Sequence, residues 1–315
     1  MRQVLRPEVL AQDHLRGMEW EWILEPGSWA GSCSLLICCL SCHRDEPDDA
    51  SPSGDPHGMV APFARAHYYR TAVRMLRDVC VHLAPQIGIT RRAIRLFSNS
   101  RIPEKPLLAA AGIGAYGKNG CIIVPGLGSH FIIAGAVIPV VLAREDSPDL
   151  PNDDDPCGSC SRCIAACPTQ ALAEPYVLRP LRCLQALAGG TVSFPDDAWD
   201  AWGTRLYGCQ DCQAACPHNK GLRVPAPSAE GEIGSGISLR RFLGMSVRER
   251  QSLLRGTALG VSWLPDEALL RNALVAAGNS CESSLRGVVE IYATDVSPLV
   301  RYAAGWALER LRESQ

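Results

Sequence analysis

Apolar positions along the chain fall into short runs whose period changes from segment to segment. Ser34–Ser41 (SLLICCLS) is a continuous apolar run of strand length, which predicts a strand buried on both faces. Neighbouring strand residues face opposite sides, so Cys38 and Cys39 read as small hydrophobes rather than joint ligands of one metal with Cys33, Cys42 or His43. Arg44 to Gly58 is acidic and rich in Pro, Ser and Gly, the composition of a loop. From Phe63 to Leu83 the period turns helical. Val73, Leu76, Val79, Cys80 and Leu83 mark an apolar stripe, with Arg70, Arg74 and Arg77 on another face. Ile94–Phe97 predicts a short strand and Leu108–Ala111 a helix of small residues. Cys121–Val124 and His130–Leu142 predict two strands joined by residues 125–129.

Arg144 to Pro156 reads as an acidic, proline-rich linker, and a Gly/Pro/Ser-rich stretch runs from Asn219 to Gly236. Beyond it the pattern is helical: 238–243, 246–255, 266–278, 283–292 and 298–312. Ser246 and Glu249 form a capping box. The last two segments resemble one helical pair of HEAT type, too small to stand alone, so this piece must pack on the module before it. Residues 1–31 are weakly patterned, apart from a short helical stretch at Pro7–Arg16.

The chain has 315 residues, 47% of them hydrophobic, enough for a sizeable core and two or three domains. Its formal net charge of -2 carries no global signature of nucleic-acid binding, so a polyanion would have to meet a local basic patch. Met1–Trp22 is charged and lacks the apolar core of a signal peptide. Phe131–Ala143, the most apolar stretch, is broken by Pro139 and too short to span a bilayer. A soluble, cytoplasmic protein is expected.

Eight of the fifteen cysteines lie between Asp155 and Lys220. Cys157, Cys160, Cys163 and Cys167-Pro168 form a complete C-x2-C-x2-C-x3-C-P run. Cys209, Cys212 and Cys216-Pro217 repeat it without a first cysteine, for which Cys183 substitutes. In this pattern three thiolates of one tight loop hold three corners of a cubane, and the fourth cysteine points to the other cluster. The spacing therefore assigns Cys157, Cys160, Cys163 and Cys216 to one [4Fe-4S] cluster. Cys167, Cys183, Cys209 and Cys212 go to the second. Structural zinc would use two CxxC pairs without the third cysteine and proline, and disulfides have no secretory context here. The cysteine count fits a reducing compartment.

Gly112, Gly114 and Gly117 stand in GxGxxG order, but the run follows a helix and leads into a strand, the reverse of a dinucleotide-binding turn. Such glycines would instead let the backbone approach a large flat ligand.

The order of parts resembles the epoxyqueuosine reductase family, cobalamin-dependent iron-sulfur enzymes related to reductive dehalogenases. The resemblance covers roughly residues 28–312. It rests on Pro103-Glu104-Lys105-Pro106-Leu107, the glycine run to Lys118, Gly128-Ser129, and the cluster run through Cys167-Pro-Thr-Gln-Ala171. Glu174-Pro-Tyr176, Arg182-Cys183, Arg205-x-Tyr207-Gly-Cys209 and Leu270-Arg-Asn272 extend it. It implies an α+β fold in three parts: a corrinoid-binding α/β domain (1–148, N-terminally short), a two-cluster ferredoxin-like domain (149–232) and HEAT-like helices (233–315).

Two [4Fe-4S] clusters and a cobalamin would then pass electrons from an external donor such as ferredoxin or flavodoxin to cobalt. The epoxide oxygen of epoxyqueuosine in tRNA would leave as water. Glu104, Lys105, Gly117, Lys118 and Ser129 stand as the implied corrinoid contacts. Arg240, Arg241, Arg248, Arg250, Arg271, Arg301, Arg310 and Arg312 would form a tRNA footprint through phosphates, with Trp199, Trp202 and Trp263 available for stacking. His218-Asn219 reads as a helix-ending polar pair, with tuning of a cluster through hydrogen bonds as the alternative. A monomer without membrane contact is expected.

Three departures qualify the resemblance. Ser98 stands where the family carries its proton-donating aspartate, and a serine hydroxyl is too weak an acid for that step. Either Tyr68, Tyr69, Tyr116, His67 or His130 donates, or the substrate is another small organic molecule. The N-terminal part is shorter, and the family's Arg-Tyr-Ala-x-Gly-Arg-Asp-Tyr run is reduced to Pro62–Tyr69. A non-catalytic two-cluster electron carrier is the remaining alternative.

Overall fold

A computed structural model describes residues 33–45, 51–142, 155–195, 197–225 and 231–313. The helical pattern at Pro7–Arg16 lies outside them.

The N-terminal part contains β1 (Ser34–Ser41), β2 (His57–Val60), α1 (Tyr68–Gln86), β3 (Arg95–Phe97), α2 (Glu104–Ala110), β4 (Ala115–Tyr116), β5 (Ile122–Ile123) and β6 (Phe131–Ile138). β6 is the centre of an antiparallel sheet ordered β1-β6-β3. All of it from Ile132 onward is buried, because its Ile/Ala/Val run has no polar side chain to turn outward. β1 fills the span expected for it, and its residues divide by face. Leu36, Cys38 and Leu40 pack toward α1, while Leu35, Ile37 and Cys39 pack on the side of Phe97, Leu107 and Leu108.

α1 begins later than its apolar pattern suggested, after a 3-10 turn at Pro62–Ala64. Its buried row is Tyr68, Ala72, Leu76, Cys80 and Ala84, and Val79 of the expected stripe is 53% exposed. Small side chains along this i, i+4 row let the helix sit close on the sheet, so packing follows alanine rather than the bulkier valines. β5 and β6 are both strands, as expected, but do not pair with each other. β5 pairs with β4, and a tight turn closed by Val124 N–H to Gly128 O (2.9 Å) sends the chain into the first sheet.

The cysteine region adds α3 (Arg162–Ala165), β7 (Leu172–Glu174), β8 (Val177–Leu178), α4 (Leu184–Ala188), α5 (Ala198–Ala201), β9 (Arg205–Tyr207) and α6 (Asp211–Ala214). The C-terminal part holds β10 (Gly236–Ser238), α7 (Leu239–Gly244), α8 (Val247–Leu254), α9 (Asp266–Ser280), α10 (Arg286–Glu290) and α11 (Pro298–Glu313). A second sheet, β10-β2-β9, draws one strand from each of the three regions and ties them together. One continuous core runs from Val60 through Leu184, Trp199, Trp202 and Leu206 to α9 and Leu311.

α9 is buried on all sides from Ala268 to Gly278. A Cβ on Gly278 would lie 2.6 Å from the Trp306 ring, so glycine sets how closely α9 and α11 approach. The capping box at Ser246 and Glu249 forms with both of its hydrogen bonds. The segment expected as one helix at 283–292 is instead a 3-10 turn, the short α10 and a second 3-10 turn. Its β-branched Val288, Val289 and Ile291 favour helix weakly.

Candidate metal centre

Cys157, Cys160, Cys163 and Cys216 line one cavity of about 110 Å³, together with Lys118, Asn119, Ile123, Pro156, Pro217 and His218. Local chemistry folds the loop. Asp155 Oδ1 accepts the Cys157 N–H at 2.9 Å, Cys160 N–H reaches Cys157 O at 2.8 Å, and α3 carries Cys163 on the next turn. Cys216 comes from the second motif, where α6 ends and Pro217 follows, as the crossed spacing predicts.

The other four expected ligands also gather. Cys183 lies within electrostatic reach of Cys167, Cys209 of Cys183, and Cys212 of both Cys209 and Cys183. Cys183 is the N-cap of α4, and Arg182 holds the segment by donating to Thr169 O at 2.8 Å. Arg205 grips the Asp211 carboxylate with two bonds of 2.7 Å and fixes the start of α6. Gly208, just before Cys209, has φ +91°, and a Cβ there would lie 2.5 Å from Ala61. Burial pushes the Cys209 thiol up to about 12 and raises Cys163, Cys183, Cys212 and Cys216. Loading metal therefore expels protons from these sites.

Sequence spacing missed Cys121. It lies within electrostatic reach of Cys183 and Cys212 on one side and Cys216 on the other. The signal was weak, since Cys121 lies far outside both motifs. With four thiols already in each group, Cys121→Ser should leave iron at about eight per chain after reconstitution. A fall to about four would make Cys121 a ligand.

The residues expected to meet a corrinoid have protein partners. Lys118 N–H points at Cys157 Sγ (3.3 Å), and its Nζ donates to Gly158 O and, at 3.0 Å, to Cys160 O. Lys105 Nζ donates to Gly120 O at 3.1 Å. A Cβ on Gly114 would lie 2.6 Å from Ile123 O, and one on Gly117 would lie 2.8 Å from Ile123 Cδ1, so the β4–β5 hairpin occupies the space these glycines leave. Ser129 is buried at the junction with the cysteine region. Its N–H donates to Asn219 Oδ1 (2.7 Å), and its hydroxyl accepts from Asn219 (2.9 Å) and Gln213 (3.1 Å). His218 donates to Pro156 O at 2.8 Å.

Ser98 donates its hydroxyl proton to Ile133 O at 2.5 Å. Glu104, at the first turn of α2, accepts from Ser100 N–H at 3.3 Å, and burial pushes its carboxyl up to about 7. Burial, with His43 alongside, pulls His130 down to about 4, so its imidazole is neutral at physiological pH. The His43 and His130 rings lie 5.4 Å apart, tilted by 43°. His67 caps α1, and Tyr68 accepts from Arg44 at 2.9 Å. Tyr116 has a buried hydroxyl with no partner among the described residues.

The expected basic footprint is corrected at several positions. Arg271 is 0% exposed and Arg250 only 3%, the latter paired with Asp266 at 2.6 Å. Arg310 pairs with Asp200 at 2.7 Å and lies over Trp306. Trp199 and Trp202 are core residues, leaving Trp263 exposed among the three tryptophans proposed for stacking. Arg241, Arg248, Arg301 and Arg312 remain on the surface. Among the described residues no helix is long and apolar enough to cross a membrane.

Residues 156–219 match the 4Fe-4S double cluster binding domain. The chain is 32% identical to the epoxyqueuosine reductase of Bacillus subtilis over 256 residues, 79% of this chain and 64% of that protein. It is 32% identical to that of Lactococcus garvieae, over 78% of this chain and 68% of the relative. The chain thus spans less than two thirds of the length of the Bacillus subtilis relative and just over two thirds of the Lactococcus garvieae one. A crystal structure of selenomethionine-labelled epoxyqueuosine reductase superposes with a TM-score of 0.75 at 27% identity, covering 88% of this chain and 73% of that one. A Bacillus subtilis structure with its catalytic aspartate loop swung out of the active site gives 0.70 at 27% identity, covering 89% and 76%. An epoxyqueuosine reductase with an epoxyqueuosine-modified tRNA-Tyr stem loop gives 0.69 at 25% identity, covering 89% and 76%. On sequence, structure and the paired cysteine groups together, this chain belongs to the epoxyqueuosine reductase family.

Proposed function

We propose that the chain is an iron-sulfur reductase that converts epoxyqueuosine to queuosine in tRNA. The observation that carries this reading is the gathering of eight cysteines into two crossed groups against a sheet domain of this family. Cys157, Cys160, Cys163 and Cys216 hold one [4Fe-4S] cluster, and Cys167, Cys183, Cys209 and Cys212 hold the other. The Lys118 N–H directed at Cys157 Sγ favours the reduced cluster by donating to a ligand sulfur. In the reaction two electrons and two protons remove the epoxide oxygen as water and leave a carbon–carbon double bond. The surface arginines of the C-terminal helices meet the tRNA backbone.

The proposal includes cobalamin, which when bound supplies a strongly reducing cobalt centre. Lys105, Gly117, Lys118 and Ser129 do not fit a site for it as they stand, being committed to protein contacts. Its contacts must come from other residues.

The test is anaerobic reconstitution with iron and sulfide, then reduction, with an epoxyqueuosine-modified tRNA stem loop as substrate. About eight irons per chain, a base-off spectrum with added cob(II)alamin, and queuosine as product are expected. A fully loaded protein that forms no queuosine overturns the reading. Ser98, with its hydroxyl engaged by the sheet, favours one second reading: a reductase of another small organic molecule.

A further inference from the structure

Lys118 reaches from the sheet domain into the first cysteine loop with each of its polar atoms. It sits in the β4–β5 turn, closed by Gly117 N–H to Cys121 O at 2.8 Å, with Gly120 at φ 73°. Its N–H points at Cys157 Sγ, its carbonyl accepts the Tyr176 N–H at 2.9 Å, and its Nζ donates to Gly158 O and Cys160 O. Two acceptors on one short loop hold the ammonium in place, where a lone surface lysine would swing into water. Among the described residues, Lys118 is the lysine or arginine that lines the cavity with Cys157, Cys160, Cys163 and Cys216, and no carboxylate lines it. Asp155 is the acidic group of this loop. Its Oδ1 accepts the Cys157 N–H at 2.9 Å and the Tyr176 hydroxyl at 2.8 Å, outside the cavity lining. The second group has no such unopposed cation in Arg205, whose guanidinium is paired with the Asp211 carboxylate.

We infer that the Lys118 ammonium sets the reduction potential of the first cluster, over and above the hydrogen bond from its N–H. The inference rests on the two-cluster part of the reading above. Reduction adds one electron, and so one negative charge, to the group held by these four thiolates. A cation fixed beside the cavity favours that added charge, and does so more strongly where protein replaces part of the water. The contacts of Nζ are with the first loop alone, so its effect falls on one cluster and not the other.

The test is an anaerobic redox titration with dithionite, followed by EPR, on reconstituted full-length wild type, Lys118→Gln, Lys118→Met and Lys118→Arg. All four keep the backbone N–H to Cys157. The first cluster is the signal that Cys157→Ser removes. In both neutral variants it should become harder to reduce, its reduced-to-oxidised ratio at a fixed potential falling on the order of tenfold. The second signal should titrate as in wild type. Arginine keeps the charge and should restore the wild-type curve, with iron at about eight per chain throughout.

Neutral variants that keep about eight irons and titrate as wild type overturn the role of the ammonium. Loss of the first cluster from both neutral variants also overturns it, making Lys118 a clamp on the loop. Wild type that loads fully but forms no queuosine overturns the reductase reading, and the titration still decides the role of Lys118.

Discussion

Replacing Arg271 by methionine should lower stability by roughly 3 kcal/mol and release the second cluster before the first. The guanidinium is fully buried and donates to Leu187 O (2.8 Å), Gly190 O (2.8 Å), Val192 O (2.7 Å) and Asn272 Oδ1 (2.8 Å). It also lies 4.2 Å over the Phe194 ring. Burial pulls it down to about 10, still well above neutrality, so the group stays charged.

Methionine fills much of the volume but removes the guanidinium from the part-buried carbonyls of Gly190 and Val192, each contact worth about 1 kcal/mol or more, while Leu187 O keeps the Gly190 N–H. It also forfeits the ring contact, about 1 kcal/mol. Relief from burying a charge offsets part of this. These carbonyls lie just beyond α4, whose N-cap is Cys183. Loosening that segment moves Cys183 out of its group. Urea unfolding and iron analysis of the reconstituted variant should show an earlier midpoint and about four irons. Arg271→Lys, whose single ammonium cannot span the same carbonyls, should fall between. A midpoint equal to wild type would mean that these hydrogen bonds do not hold the segment.

Arg271 also marks the limit of what the sequence discloses. Its position among seven other arginines suggested a phosphate contact, because charged side chains normally stay at the surface. It is buried because the carbonyls it satisfies belong to a distant insert, and nothing local to α9 records that. Arg250 and Trp199 were opaque for the same reason: Asp266 pairs with the first, and Tyr302 and Trp306 of α11 pack on the second.

Local features were far more legible. The β1 span follows from an unbroken apolar run, and the Ser246/Glu249 cap from residues three apart. The two cysteine groups were legible because thiol spacing within a loop fixes which sulfurs converge. The second sheet was hidden, since its three strands are short and come from widely separated segments. The α1 face was hidden too, because alanine contributes little to an apolar pattern yet decides how closely a helix approaches a sheet.

Cys216→Ser should abolish the cluster of the first cysteine loop, although Cys216 belongs to the second motif. Its thiol lines the cavity with Cys157, Cys160 and Cys163, while Cys212, one turn earlier, lies within electrostatic reach of Cys121, Cys209, Cys183 and Cys163. The short helices α3 and α6 carry the two motifs past one another. Each therefore sends its last cysteine across to the other group. Serine preserves the size of the side chain but offers a hydroxyl, a poor ligand for iron in place of a thiolate. Iron should drop from about eight to about four per chain. The reduced-state EPR signal that survives should be the one left by Cys157→Ser and absent from Cys183→Ser. Cys167→Ser, on the reciprocal crossing, should group with Cys183→Ser. If Cys216→Ser instead left the spectrum of Cys183→Ser, each motif would hold its own cluster. The crossing would be refused, and with it the electron path that runs from one motif into the other.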